Sequence, residues 1–116
     1  AKAGQGTDDD VQAIFSTFDV KVRPELAQIV SVIKYCPTPD GKGVHMVLNT
    51  EEGPVTVIYM PDTAVEDHGT VEFDSMSALL VGLDKGSAAL IGADSQSISR
   101  LYSVVHDSII PVVNKA

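Results

Sequence analysis

The apolar residues of the chain change period twice. Val11, Ile14, Phe15 and Phe18 recur at i, i+3, i+4 and i+7 behind Thr7-Asp8-Asp9-Asp10, which puts all four on one face of a helix. Thr7 is placed to cap that helix, and the aspartates sit where the positive end of the backbone dipole favours carboxylates. The pattern predicts an amphipathic helix over residues 8–18, ended before Arg23-Pro24 because a residue preceding proline is pushed out of helical geometry. Residues 28–36 then turn β-branched and are closed by Pro37-Thr38-Pro39-Asp40-Gly41, a strand entering a turn. Leu26, Ala27 and Gln28 also suit a short helix after Pro24. Residues 44–49 and 55–60 follow as strands on either side of Glu51-Glu52-Gly53-Pro54, which completes a three-stranded antiparallel meander.

Residues 61–75 interrupt the alternation with Pro61, a set of acids, His68 and Gly69, leaving room for a short strand at 71–73. Residues 77–83 and 87–93 are apolar and joined by Asp84-Lys85-Gly86, a further hairpin signal. Asp94-Ser95 offers caps for a closing helix whose stripe is Ile98, Leu101, Tyr102, Val105 and Ile109, stopped by Pro111. Two apolar helix stripes need a common surface to bury against. The expected architecture is therefore α+β: an antiparallel sheet of five to six strands with an N-terminal and a C-terminal helix packed on one face. Tyr35, Tyr59 and Tyr102 are expected to pack with their hydroxyls at the rim.

Composition narrows the function classes. A chain of 116 residues suits one domain, since domains most often run to about 100–150 residues. The organisation expected is a flexible N-terminal segment or cloning scar at 1–7, one α+β domain over 8–110, and a tail at 111–116. The chain opens on Ala1, as a processed product or an excised fragment would. An apolar share of 44% with 21% charged residues is ordinary for a globular domain. Sixteen acids against eight bases give a net charge of −8, which excludes the phosphate-neutralising patch of a nucleic-acid binder and disfavours anionic membrane surfaces. No apolar run approaches the roughly 18 residues of a membrane span, so any span belongs to sequence outside this one. The single cysteine, Cys36, has no partner for an internal disulfide.

The chain holds no nucleophile elbow, no Gly-rich phosphate loop, no His-Glu-x-x-His and no paired-cysteine zinc motif. No catalytic residue is assigned, and a non-enzymatic domain is expected. Ser103, His106 and Asp107 cluster in sequence, but adjacent His106 and Asp107 should point to different helix faces, leaving only Ser103 and His106 able to touch; this is the basis of a small-hydrolase alternative. Cys36 and His45 lie near the facing ends of the first hairpin. Antiparallel pairing about Asp40-Gly41 sets Cys36 opposite Val44 or His45, at the roughly 5 Å of cross-strand neighbours. A thiolate and an imidazole so placed could share Cu(I), Zn(II) or haem iron, which gives a metal- or redox-sensor alternative. Two ligands do not close a zinc site, and no cofactor is assigned. The acids of the 61–75 segment lack the alternating ligand spacing of a calcium loop. Asp62, Glu66, Asp67 and His68 are instead expected to form an exposed interaction loop.

His45-Met46-Val47-Leu48, then Gly53-Pro54-Val55-Thr56-Val57, then Met60-Pro61 resembles the signature of an uncharacterised proteobacterial family of membrane-anchored, anti-sigma-factor-like proteins. In that family a cysteine precedes the histidine, as Cys36 does here, and a small-and-apolar hairpin and a closing helix follow. The resemblance spans about residues 26–109. It implies the C-terminal, extracytoplasmic domain of a single-span inner-membrane protein, hence a periplasmic location and a sensory or protein-interaction role. It carries over no catalytic residue. The partners implied are a protein or a small signal molecule, and homodimerisation by sheet extension is compatible with an exposed edge strand.

Overall fold

The computed structural model describes residues 8–65 and 69–112. The first helix, α1 (Asp8–Ser16), buries Val11 and Phe15. It ends two residues short of the expected boundary because the chain leaves helical geometry at once: Asp19 has φ 59°, the left-handed region that polar residues tolerate best after glycine. Phe18 still packs on the core from the turn. The Thr7 cap lies outside the described residues.

Two short elements follow. The strand β1 (Val20–Val22) is not announced by any period, whereas α2 (Pro24–Ala27) is the short helix that the residues after Pro24 also suited, opened by proline at a position where a missing N–H costs nothing. The sheet then begins with β2 (Val30–Thr38), β3 (Gly41–Thr50) and β4 (Gly53–Met60). β2 starts two residues later than expected because Gln28 and Ile29 close the turn of α2, their N–H groups donating to the Pro24 and Leu26 carbonyl oxygens, and it runs on through Pro37. Proline is tolerated there because β2 is an edge strand. After the 61–65 segment come β5 (Gly69–Phe73), β6 (Met76–Gly82) and β7 (Ser87–Gly92), then α3 (Ser95–Ser108) and β8 (Ile109–Pro111). The β5–β6 turn is Asp74-Ser75 with φ of 46° and 65°, the doubly positive geometry whose twist suits a two-residue hairpin.

All pairings are antiparallel. Six strands form one sheet in the order β2-β3-β4-β7-β6-β5, and β1 pairs with β8 in a separate ribbon. The chain therefore leaves β4, crosses to the far edge, and returns so that β7 lies against β4. Gly86 (φ +80°) makes that return possible, since a Cβ there would sit 2.2 Å from the Met60 carbonyl oxygen.

Both α1 and α3 lie on the same face of the sheet. Phe15 meets Tyr59 with ring centroids 5.3 Å apart, and Ile98 lies against Gly92. That face is the core: Ile33 of β2, Val44, Met46 and Leu48 of β3, Val55, Val57 and Tyr59 of β4, Ala88 and Leu90 of β7, and Leu79 and Val81 of β6 are all buried. Ile109, expected in the closing helix, instead starts β8 opposite Val22. Two β-branched residues before Pro111 favour extended backbone. Asp94 caps α3 by accepting from the Gln96 N–H at 2.9 Å.

Tyr59 corrects the expectation of a rim hydroxyl. It is 0% exposed, and its hydroxyl donates to the Lys85 carbonyl oxygen at 2.9 Å. Lys85 in turn donates from Nζ to the Phe18 carbonyl oxygen, so the β6–β7 turn is strapped to the end of α1. Burial, with Asp62 adding to it, pushes the Tyr59 phenol up to about 12.

Candidate functional site

Register decides what Cys36 and His45 can do. Cys36 pairs with Gly43 and Lys34 pairs with His45. The thiol and the imidazole thus share a sheet face as diagonal neighbours, one pair further apart than directly opposed residues. Burial pushes the Cys36 thiol up, and nearby Lys34 pulls it down by less, the reverse of an activated thiolate. The His45 Nδ1 is enclosed without a hydrogen-bond partner. Among the described residues no three His, Cys, Asp or Glu side chains gather closely enough to hold a metal ion.

The acidic segment divides. Asp62 stands beside Gly41 at the β2–β3 turn, where Thr63 donates to Asp40 at 2.7 Å. Glu72 and Asp74 lie at the other end of the sheet, in a cleft of about 490 Å³ with Asp94. Glu66, Asp67 and His68, the rest of the expected interaction loop, lie outside the described residues.

Ser103, His106 and Asp107 line a cleft of about 540 Å³ with Arg23, Glu25 and Asp84. His106 and Asp107 do not diverge as expected: Nδ1 of His106 lies 2.8 Å from Asp107 Oδ1. Adjacent side chains can meet by folding back over the helix surface, and here the His106 ring also stacks on Tyr102 at 5.5 Å. Ser103 makes no hydrogen bond to His106. The pair is open to water, its side chains 43% and 72% exposed, which screens the interaction.

The feature that residue-by-residue motif reading passes over is the second face of the sheet. Two complete rows of cross-strand partners cross it. One row runs Lys34, His45, Ile58, Ala89, Leu80, Gly69. The next runs Val32, Val47, Thr56, Ile91, Ala78, Val71. Among the described residues no helix covers either row, and Val32, Val47, Ile58, Leu80, Ala89 and Ile91 are all partly exposed. No strand position in these rows carries a carboxylate, although the chain has sixteen acids. At its margin the face runs into a groove of about 500 Å³ lined by Val47, Pro54, Thr56 and Ile91, with the carboxylates of Glu52 and Asp94 on its rim. The sequence does carry a signal for this surface. β6 and β7 read as continuous apolar runs, whereas a strand with one wet face should alternate.

Comparison with curated proteins and with solved structures returns no match. A family described as "Protein of unknown function (DUF3379)" matches residues 6–109, from α1 through the end of α3. The chain therefore belongs to the DUF3379 family.

Proposed function

We propose that this domain is a non-catalytic protein-interaction module whose contact surface is the open face of the six-stranded sheet. The observation that carries the reading is the asymmetry of the sheet. One face is closed by α1 and α3, and the other presents a contiguous apolar surface free of carboxylates on an acidic chain. Isolated exposed apolar residues need no explanation, but a contiguous patch marks a contact site. In this reading the domain sits on the periplasmic side of an inner-membrane, anti-sigma-like regulator and hands a contact event to the rest of that protein. The resemblance of residues 45–61 and Cys36 to the membrane-anchored family supports that placement. A contact shifts the regulator only by its differential affinity for two states of the domain.

Thr56→Glu in the parent protein should abolish its signalling output without lowering the melting temperature of the isolated domain, because residue 56 is already polar and partly exposed. Unchanged output in both Thr56→Glu and Ile91→Lys would count against the reading. A C-terminal alkaline phosphatase fusion should be active; an inactive one removes the periplasmic placement.

A further inference from the structure

We propose that the occupant of the open face is a second copy of this chain, packed sheet on sheet about a two-fold axis that runs parallel to the strands between β4 and β7. The inference rests on the reading of this face as the contact surface and adds who sits on it.

The first argument is shape. Large and small residues lie side by side on the central strands: Ala89 stands between Ile58 and Leu80 in one row, and Val47, Thr56, Ile91 and Ala78 alternate in the other. A two-fold axis along the strands keeps each row at its own height and exchanges β4 with β7, and β3 with β6. Ile58 then faces the other copy's Ala89, Ile91 faces its Thr56, and Val47 faces its Ala78. Large meets small at these three positions, the interdigitation that close-packed layers require, while His45 faces the other copy's Leu80. The pairing is self-complementary, as a two-fold interface must be.

Charge selects the same axis. The only cationic side chain in the rows is Lys34, on the β2 flank, with His45 beside it. An axis along the strands places the two β2 flanks about 24 Å apart, beyond a Debye length of about 8 Å at physiological salt. An axis across the strands would stack both Lys34 residues on one flank. The two rows also offer molecules of net charge −8 an approach without a carboxylate in either row, Glu52 and Asp94 standing at the margin. Area fits a weak dimer. At standard strand spacing and rise, the two rows present about 380 Å² in plan per copy and about 760 Å² for two, the small end of the range, where weak and reversible association is expected. Sheets stack in this aligned way about 10 Å apart, rotated by roughly 30°.

Sedimentation equilibrium of the unlabelled chain tests the proposal, and dipolar electron spin resonance of a separate sample spin-labelled at Cys36, the single cysteine, measures the distance between copies. The wild type should dimerise with a dissociation constant on the order of 10 µM, as expected for an interface at the small end of the size range. Thr56→Glu, which aims a carboxylate at the other copy's Ile91, should weaken this by at least about 100-fold. Ser99→Glu, on the exposed side of α3, should leave it unchanged. Melting curves at monomeric concentration show whether the Thr56→Glu chain is folded, and Ile91→Lys is the second variant should it not be. The Cys36 labels should lie about 25 Å apart. Three results would overturn the proposal: a wild type still monomeric at several hundred micromolar, dimerisation unchanged by both Thr56→Glu and Ile91→Lys, or a label distance below about 15 Å, which fits pairing of β2 edges instead. A monomeric wild type whose parent protein still loses output with Thr56→Glu removes the second copy and keeps the contact surface. Dimerisation without any effect on output removes the functional reading alone.

Discussion

Along β7, Leu90 and Ile91 are neighbours in sequence and opposites in circumstance. Leu90 faces the helical layer and is fully buried, paired across to Val57 and Leu79. Ile91 faces away and remains partly exposed, paired to Thr56 and Ala78. The same backbone hydrogen bonds hold both residues, so the difference lies in what covers the side chain. The covered face carries the folding free energy, because removing apolar area from water is the dominant favourable term. The open face holds apolar area that folding of one chain leaves partly in water. Such area adds little to stability and remains available for association.

The sharpest way to break this comparison is truncation on both sides of one strand. Leu90→Ala should cost about 2–5 kcal/mol in urea unfolding, the transfer term plus the cavity left behind. Ile91→Ala, measured where the chain is monomeric, should cost less than about 1.5 kcal/mol, since part of its area is already wet and water can fill the space. Equal losses would mean that the two faces are not different in kind.

A second test uses the buried phenol. The folded protein holds Tyr59 neutral up to about 12 against an ordinary value of 10.0, so the native state keeps a proton that the unfolded chain releases. Its contribution is fully present below pH 10 and falls as pH rises through about 12. Over that interval the wild type should lose roughly 2 kcal/mol more stability than Tyr59→Phe does. The variant serves as the reference because lysines also titrate in this range. Parallel losses in both proteins would mean that Tyr59 is not enclosed.

The smallest of the three effects belongs to the margin of the covered face. Asp94→Ala removes the carboxylate that accepts from the Gln96 N–H and from the Ser97 hydroxyl at 3.2 Å. It should lower stability by about 1 kcal/mol, with Asp94→Asn retaining most of it. No loss in a thermal melt would show that the first turn of α3 is held by packing alone.

The covered face was largely legible in the sequence because it obeys local periods. The Val11–Phe15 and Ile98–Leu101–Val105 stripes announce their helices, and the Val44-Met46-Leu48 alternation announces its strand. The β1–β8 ribbon was not legible. Val20–Val22 is too short to show a period, and its identity comes from partners about ninety residues away, with Gln12 also accepting from the Val22 N–H at 3.2 Å. The same lack of local signal absorbed Ile109 into the helix before it. The Cys36–His45 pair was legible as a shared neighbourhood, but its register depends on where the turn falls. With Pro39-Asp40 as the loop, Thr38 pairs with Gly41 and Cys36 with Gly43. The open face escaped motif reading because no residue in it is chemically unusual. Its meaning arises only when β4, β7 and β6 are laid side by side, an order that the crossover after β4 sets and no local pattern reveals.

The central claim, one covered and one open face, is tested most directly by methyl relaxation in the presence of a soluble gadolinium chelate, using the Thr56→Glu chain to keep the face free. Ile58 and Ile91 methyl signals should broaden strongly, while Ile33, Ile98 and Ile109, buried beneath the helices and the β1–β8 ribbon, should hardly respond. Equal protection of the two groups would contradict the account.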